Sequence, residues 1–466
     1  MLCTYRTIAA AIALSIAIGW ASAGAPGNLP VQADDRGRSY DYFDKLLPQA
    51  RNSADEAAAK EVRDALNNGK SPWLTMAAIE AIRQAEVDQP GTGEVFLPDL
   101  LALLDEKQKK LHDKNEIVTV NLFVALGVLL DKESEQVPDV VRALVNWHKW
   151  SKNDVVRLRH LAERVLGKLT GEDCTLKDET LAFWDWWLRN KAMKQAVPEG
   201  EKQPEKKSKT APIIYTEPMV GTRVVFVIDV SDSMKWPIAA DDVPKLKAKA
   251  PHLPWDKESA PTALWLATQE LAYSIEKLKP DTAAGGKGTR QQRNNPEMRH
   301  FAIVTYSKEV KLLTDGWVEA TDQNCKKWAN NARDLAPESL TNIHGGLMQA
   351  FGLSEKRAMT SSPELDRDCV LTGAHTIVFL TDGYATWSDD STSQNQPDQW
   401  GRANQVGDGK FVKAEELVKL AIYLNRFRKV TINTVGIGNH DKELMKAFAR
   451  NGGGSYVDWE CKIDWK

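Results

Sequence analysis

Thr222 to Met234 reads TRVVFVIDVSDSM, and the fold of the C-terminal half turns on it. Val224 to Ile228 is an unbroken apolar run of four β-branched residues and Phe226. Such a run, without alternation, predicts a parallel strand buried on both faces. It ends in Asp229-Val230-Ser231-Asp232-Ser233, which sets Asp229, Ser231 and Ser233 at alternate positions. In open α/β sheets ligands bind at the carboxyl ends of the strands. One carboxylate and two hydroxyls are hard oxygen donors, the kind Mg²⁺ takes while keeping some of its waters. Alone, D-x-S-x-S also describes a turn followed by a helix cap. The rest of the chain decides between the two.

Two downstream stretches supply the context. Leu340 to Leu347, LTNIHGGL, is a loop opening a helix and offers the Thr341 hydroxyl. His375 to Gly383, HTIVFLTDG, is a second buried strand ending in a carboxylate and a glycine. With all three motifs in place, roughly Thr222 to Trp459 resembles a von Willebrand factor type A domain. The resemblance implies a metal-ion-dependent adhesion site made of Asp229, Ser231, Ser233, Thr341 and Asp382. The serines and threonine would bind the metal directly or through water, and the aspartates often through water. With the two carboxylates acting through water and three neutral hydroxyls as the nearer donors, Mg²⁺ is incompletely neutralised at close range, with one position open. A partner protein's Asp or Glu carboxylate can complete the octahedron. Mn²⁺ and Ca²⁺ suit the same donors. The implied function is metal-dependent protein binding or adhesion.

Other readings of the same residues are a metal-assisted hydrolase, in which the open position activates water, and a scaffold whose metal is structural. The hydrolase needs a base. His344, three residues after Thr341, is the nearest titratable group, and a lone histidine without an orienting partner is weak support for one. No nucleophile–base arrangement stands beside the motifs, so no catalytic residue is assigned and the chain is read as a binding protein rather than an enzyme.

The loops after the two aspartate-bearing strands should share the metal face. One carries Trp236 and Trp255, the other Trp387 and Trp400. Tryptophan is enriched at interface hot spots, which suggests an aromatic rim that selects the partner. The competing use is to pin the loops in small cores. Asp389 and Asp390 offer a second cation position or, as turn-rich polar segments usually do, stay solvated.

Around these motifs strands and helices alternate: strands at 301–306, 310–314, 376–381, 430–435 and 455–459, helices at 261–278, 322–335, 343–355, 412–427 and 441–450. This alternation predicts a doubly wound, mostly parallel sheet of Rossmann-like type, with 310–314 antiparallel at its edge if the family topology holds. Lys235 to Lys257 reads as a long loop. Gly285-Gly286-Lys287-Gly288-Thr289 lacks the spacing and the preceding strand of a phosphate loop.

Upstream, about 34–195 is helical throughout, with apolar residues three and four apart. Leu97-Pro98-Asp99-Leu100 to Leu104 aligns with Val137-Pro138-Asp139-Val140 to Leu144, an offset of 40 residues. Proline and aspartate both suit a helix's first turn. Each copy follows a longer helical stretch, near 72–88 and 115–131, and a further pair falls at 153–168 and 178–195. Helix pairs at this period look like HEAT-type repeats, whose stacks usually bind proteins along a face. Phe183, Trp184, Trp186 and Trp187 would cap the stack. Residues 196–212, AVPEGEKQPEKKSKTAP, read as a disordered linker, too poor in large apolar groups to fold. The fold class is therefore multidomain, α plus α/β.

The chain has 466 residues, 61 basic and 64 acidic. That balance lacks the basic excess of a nucleic-acid binder. The first 23 residues carry one arginine, an apolar run from Ile8 to Ile18, and the triplet Ala21-Ser22-Ala23, the pattern of a cleaved signal peptide. The expected location is secreted or periplasmic, with no membrane-spanning segment after cleavage. Cys174, Cys325, Cys369 and Cys461 would remain, an even number that suggests one or two disulfides of unassigned pairing.

Overall fold

The computed structural model describes residues 38–68, 71–151, 155–190, 202–207, 213–214, 217–279, 298–360, 363–364, 366–388, 396–397, 403–404 and 410–464. The signal-peptide segment and most of 196–212 lie outside the described residues. All described residues belong to one unit, Arg36–Lys466.

The helical part runs α1 Arg38–Arg51, α2 Glu56–Leu66, α3 Pro72–Asp88, α4 Leu97–Leu103, α5 Lys109–Lys114, α6 Glu116–Leu129, α7 Val137–Trp150, α8 Val156–Thr170 and α9 Leu181–Asn190. Local chemistry sets several of the starts. The Asp55 carboxylate accepts from Ala58 N at 2.9 Å and Ser71 Oγ from Leu74 N at 3.3 Å, satisfying amides that have no partner inside the helix. Pro98 and Pro138 occupy the first turns of α4 and α7, where a missing N–H costs nothing. Helix α6 is apolar around most of its circumference and buried accordingly, as a helix covered on several sides must be. It lies between α3 and α8, with α4 against it. Helices α1, α3, α6 and α8 are successive neighbours in a row. Helix α2 packs on α1 and α3, α4 on α6, α7 on α8, and α9 on α7. The α9 tryptophans are buried at the end of this stack, and Trp184 Nε1 donates to Thr175 O at 3.0 Å.

The central sheet has seven strands: β1 Arg223–Asp229, β2 His300–Tyr306, β3 Val310–Leu312, β4 Val318–Glu319, β5 Thr376–Thr381, β6 Thr431–Ile437 and β7 Gly453–Trp459. The order is β7-β6-β5-β1-β2-β3, with β4 also pairing with β2. Every pairing from β7 to β2 is parallel, and β3 and β4 are antiparallel to β2. Alternate residues of β1 feed two cores. Val224, Phe226 and Ile228 meet α10 Val243–Lys249 and α11 Ala263–Lys277, with α12 Asp322–Arg333 beside α11. Val225 and Val227 meet α13 Ile343–Gly352, α15 Ala414–Asn425 and α16 Lys442–Asn451. The short α14, Arg367–Thr372, precedes β5. The fold is thus α plus α/β, with helices on both sheet faces.

The sequence reading needs three corrections. The stretch expected to be a long loop, 235–257, contains α10 and is tied down by the chain's end: Asp464 N donates to Pro237 O at 2.8 Å and Ala239 N to Lys462 O at 2.8 Å. The four cysteines are buried, unpaired thiols rather than disulfides. Cys174 sits in the helical core, Cys325 and Cys461 in the core of one sheet face, and Cys369 donates to Gly352 O at 3.3 Å.

The third correction concerns the helical and α/β regions, expected as domains separated by a disordered linker at 196–212. The helical layer is packed onto the α/β part: Asn121 Nδ2 donates to Phe427 O at 2.8 Å, Arg157 Nη2 to Arg428 O at 2.6 Å, and Gly221 N to His160 Nδ1 at 3.1 Å. Lys429 Nζ lies 2.6 Å from Glu80 Oε2, both nearly inaccessible. Of the linker, 202–207 is described and has neither helix nor strand. It rests on the helical layer, with Thr175 N donating to Lys207 O at 2.9 Å and Lys206 paired with Glu172 at 2.9 Å.

Candidate functional site

From β1 the chain adds β2 and β3 on one side. It later adds β5, β6 and β7 on the other. The reversal falls between β1 and β5, whose carboxyl ends frame the crevice where such sheets bind ligands. Asp229 is the last residue of β1, and Asp382 follows Thr381, the last of β5. Ile228 pairs with Leu380, so the two carboxylates leave neighbouring strands at the same level.

Both aspartates are buried. Ser231 N donates to Asp229 Oδ1 at 2.8 Å, and Thr381 Oγ1 to Asp229 Oδ2 at 2.6 Å. Ser233 Oγ donates to Asp382 Oδ1 at 2.7 Å and lies 3.0 Å from Ser231 Oγ. Four of the five expected residues therefore form one connected cluster. Asp382 Oδ2 is buried with no hydrogen-bond partner. Burial pushes the Asp229 carboxyl up to about 6, against the hydrogen bonds from Ser231 and Thr381 that hold it down. Burial and then the charge of Asp229 push Asp382 well above the usual carboxylate range. Two carboxylates drawn out of water beside each other do not both ionise easily without a nearby positive charge.

Thr341 arrives on the third loop, at the start of α13. Its N–H donates to Thr386 Oγ1 at 2.9 Å, and its carbonyl accepts from Thr386 N at 3.0 Å and Trp387 N at 3.2 Å. This binds it to the loop that begins at Asp382. Glu338 N donates to Val230 O at 2.6 Å, joining the loop that carries Thr341 to the end of β1. Leu340, just before Thr341, has φ 61°, a left-handed conformation that costs a residue bearing a Cβ of order 1–2 kcal/mol. Asn342 Oδ1 caps α13 by accepting from Gly345 N at 2.8 Å.

The four tryptophans divide. Trp255 is not on a rim. It is 6% exposed within the core of one sheet face, its Nε1 donating to Ala250 O at 2.8 Å and its ring 4.9 Å from Trp265. Trp236 and Trp387 are half-buried. Lys235 Nζ stands 5.2 Å from the Trp236 ring and Lys308 Nζ 4.7 Å from that of Trp387. Trp400, Asp389 and Asp390 lie outside the described residues. His344 stacks on Phe411 at 4.4 Å, with Nδ1 3.1 Å from Ser388 Oγ.

Thr381, Thr386 and Glu338 support the site but were not singled out from the sequence. Thr381 lies inside the quoted T-D-G motif, where its hydroxyl could have been weighed. Thr386 and Glu338 are loop residues that only the folded chain brings near. Among the described residues no group of three or more His, Cys, Asp or Glu forms a metal cluster. The donors here are two carboxylates and hydroxyls.

No protein-family model matches the chain, and no curated protein matches it. Among solved structures it is similar to a von Willebrand factor type A from Catenulispora acidiphila, at 14% identity over 51% of this chain and 38% of that one, TM-score 0.28. It is similar to an aerotolerance-related membrane protein from Bacteroides fragilis, at 14% identity over 53% and 92%, TM-score 0.27. It is also similar to the PilB minor pilin from Streptococcus sanguinis, at 15% identity over 52% and 59%, TM-score 0.28. The chain spans under two thirds of the first and the third.

Proposed function

We propose that this chain is a divalent-metal-dependent protein-binding module, adhesive rather than enzymatic, working in an extracytoplasmic setting. Asp229, Ser231, Ser233, Thr341 and Asp382 would hold Mg²⁺, or Mn²⁺ or Ca²⁺. The observation that carries the reading is Asp382 Oδ2, a buried carboxylate oxygen without a partner beside a second buried carboxylate. A buried unsatisfied group of this kind calls for an explanation, and a cation supplies one. The donors fit a hard cation: two carboxylates and hydroxyls, with no thiolate or imidazole among them. When bound, the metal supplies an open position for an Asp or Glu carboxylate of the partner. The protein's own part is to hold the donors rigidly at a switch point and to flank them with Trp236 and Trp387. The stacked helix pairs, read as HEAT-like, would offer a second protein-binding surface.

The test is calorimetric titration of Mg²⁺ into the native chain and into Asp382→Ala. Saturable binding to the native chain, lost in the variant, is expected. Metal bound by the folded chain and not by the unfolded one should raise the native melting temperature by mass action. Pull-downs in Mg²⁺ and in chelator, with Asp382→Ala as control bait, then identify the partner. Equal Mg²⁺ binding by both proteins would end the reading.

A further inference from the structure

The helical layer and the α/β part do not close completely where they meet. Between α1, α3, α6 and α8 on one side and α15, β6 and α16 on the other lies a cavity of about 630 Å³. That is the size of a small-molecule pocket, and the junction of two layers is a common place for one.

Its chemistry is divided. Phe43, Phe123, Leu161 and Val165 supply a buried apolar wall, and Val87 and Ile422 extend it to an exposed lip. The charged lining is nearly all positive. Arg83, Arg164, Lys168, Arg426, Lys429 and Arg450 line the cavity, and Glu80 is the only carboxylate among the described lining residues. Glu80 is already engaged: it accepts from Arg83 Nε at 2.7 Å, Arg83 Nη2 at 2.9 Å and Lys429 Nζ at 2.6 Å. Arg426 lies 3.8 Å from Asp44, a largely exposed residue outside the lining. Arg164 donates to Gly453 O and Lys168 to Gly127 O, which holds both side chains at the cavity. Asn425 spends its amide on the Val430 backbone in both directions. The surface therefore offers apolar area and positive charge, and little directional hydrogen bonding.

We propose that this cleft binds a single-chain amphiphile with an anionic head, its chain against Phe43, Phe123 and Val165 and its head between Lys168 and Arg450. A volume this small favours such a molecule over a folded partner's element, and an excess of cations over a pre-paired carboxylate favours an anion. The site is separate from the Asp229–Asp382 crevice and does not depend on the metal reading.

The test is calorimetric titration of the full chain with three probes below their aggregation limits: dodecanoate, dodecyl phosphate and dodecan-1-ol. One saturable site for dodecanoate or dodecyl phosphate is expected, and the tighter of the two identifies the head group. Dodecan-1-ol should bind about tenfold or more weaker, the equivalent of about 1.4 kcal/mol. Lys168→Gln/Arg450→Gln changes two exposed residues and should weaken the anions about tenfold while leaving the melting temperature and the alcohol unchanged. Val124→Trp fills the cleft from its half-buried wall and should remove binding of all three. The proposal is overturned if no anionic probe saturates, if the alcohol binds as tightly as the acids, or if a hexa-aspartate peptide binds as well as dodecanoate. Undiminished binding to a folded Val124→Trp protein overturns it too.

Discussion

Glu270 shows what a single buried carboxyl does to this protein. It sits in α11, 4% exposed, with Oε1 2.7 Å from His252 Nε2. Burial pushes its carboxyl up to about 7. Burial and then Lys277 pull His252 down, so the histidine gives little charge in return. An unfolded glutamate titrates near 4.3. Between about pH 4 and 7 the native state keeps a proton that the unfolded chain has lost. Stability from this group is complete below pH 4 and falls away as pH rises through 7, by about 3–4 kcal/mol. Glu270→Gln should therefore melt higher than the native protein at pH 8 and nearly level with it at pH 4. Equal differences at both values would show that the carboxyl is not protonated in the fold. None of this was readable in the sequence, where Glu270 is one more polar residue in an amphipathic helix. Of the candidate site, the cluster of Asp229, Ser231, Ser233 and Asp382 was readable because these residues follow two strands whose apolar pattern is strong. What the sequence hid at this scale was the support, Thr381 on Asp229 and Thr386 on Thr341, because loop-to-loop bonds leave no periodic trace.

Among the elements, α13 is the one through which stability and the candidate site are most directly joined. It starts two residues after Thr341 and presses on the sheet at Gly346, where an added Cβ would stand 3.1 Å from Tyr306 Cδ1 and from Val227 Cγ1. The absence of a side chain there lets the helix lie close to β1 and β2. Gly346→Val should push the helix outward and cost about 1–3 kcal/mol, as overpacked cores do. Because Thr341 moves with the helix, the Mg²⁺-dependent rise in melting temperature should shrink as well. A variant that loses stability but keeps the full Mg²⁺ response would detach Thr341 from the metal. The long strands and helices were legible because their periods are clear over many residues. Helices α10 and α14 escaped because they are only seven and six residues long, too short to display a periodicity against loop composition. Trp255 was misplaced for a related reason: its partner Trp265 lies on α11, and only the fold of the loop brings the two rings together.

At the scale of the whole molecule, the helical layer meets the sheet at the amino ends of its strands. Gly221 precedes β1, Lys429 precedes β6 and Gly453 opens β7. The candidate metal residues lie at the carboxyl ends, about 20 Å away along seven-residue strands. The layer therefore holds any second binding surface in a fixed direction relative to the crevice, and the gain from flexible tethering does not apply. The sequence could not show this, because the anchoring bonds join residues some 270 to 350 positions apart and follow no pattern in the intervening chain. Lys429 is the most exposed of these anchors to a simple test. It is held at φ 52°, a costly conformation for a residue with a Cβ. Burial and then Arg83 pull its ammonium down to about 7, while Glu80, buried but flanked by Arg83 and Lys429, is held down at about 2. One carboxylate shared by two cations explains both directions: the carboxylate stays ionised, and the lysine is the cation that gives up its proton more readily. Lys429→Ala leaves Glu80 with Arg83 alone and empties the junction. It should cost about 3 kcal/mol, near the low end for breaking a buried ion pair because Arg83 remains. The loss falls on the contact between layers rather than within either one. Scanning calorimetry should then resolve the single native transition into two, with the helical layer and the sheet melting apart. A lone transition at the native temperature would mean that the pair contributes nothing to holding the layers together.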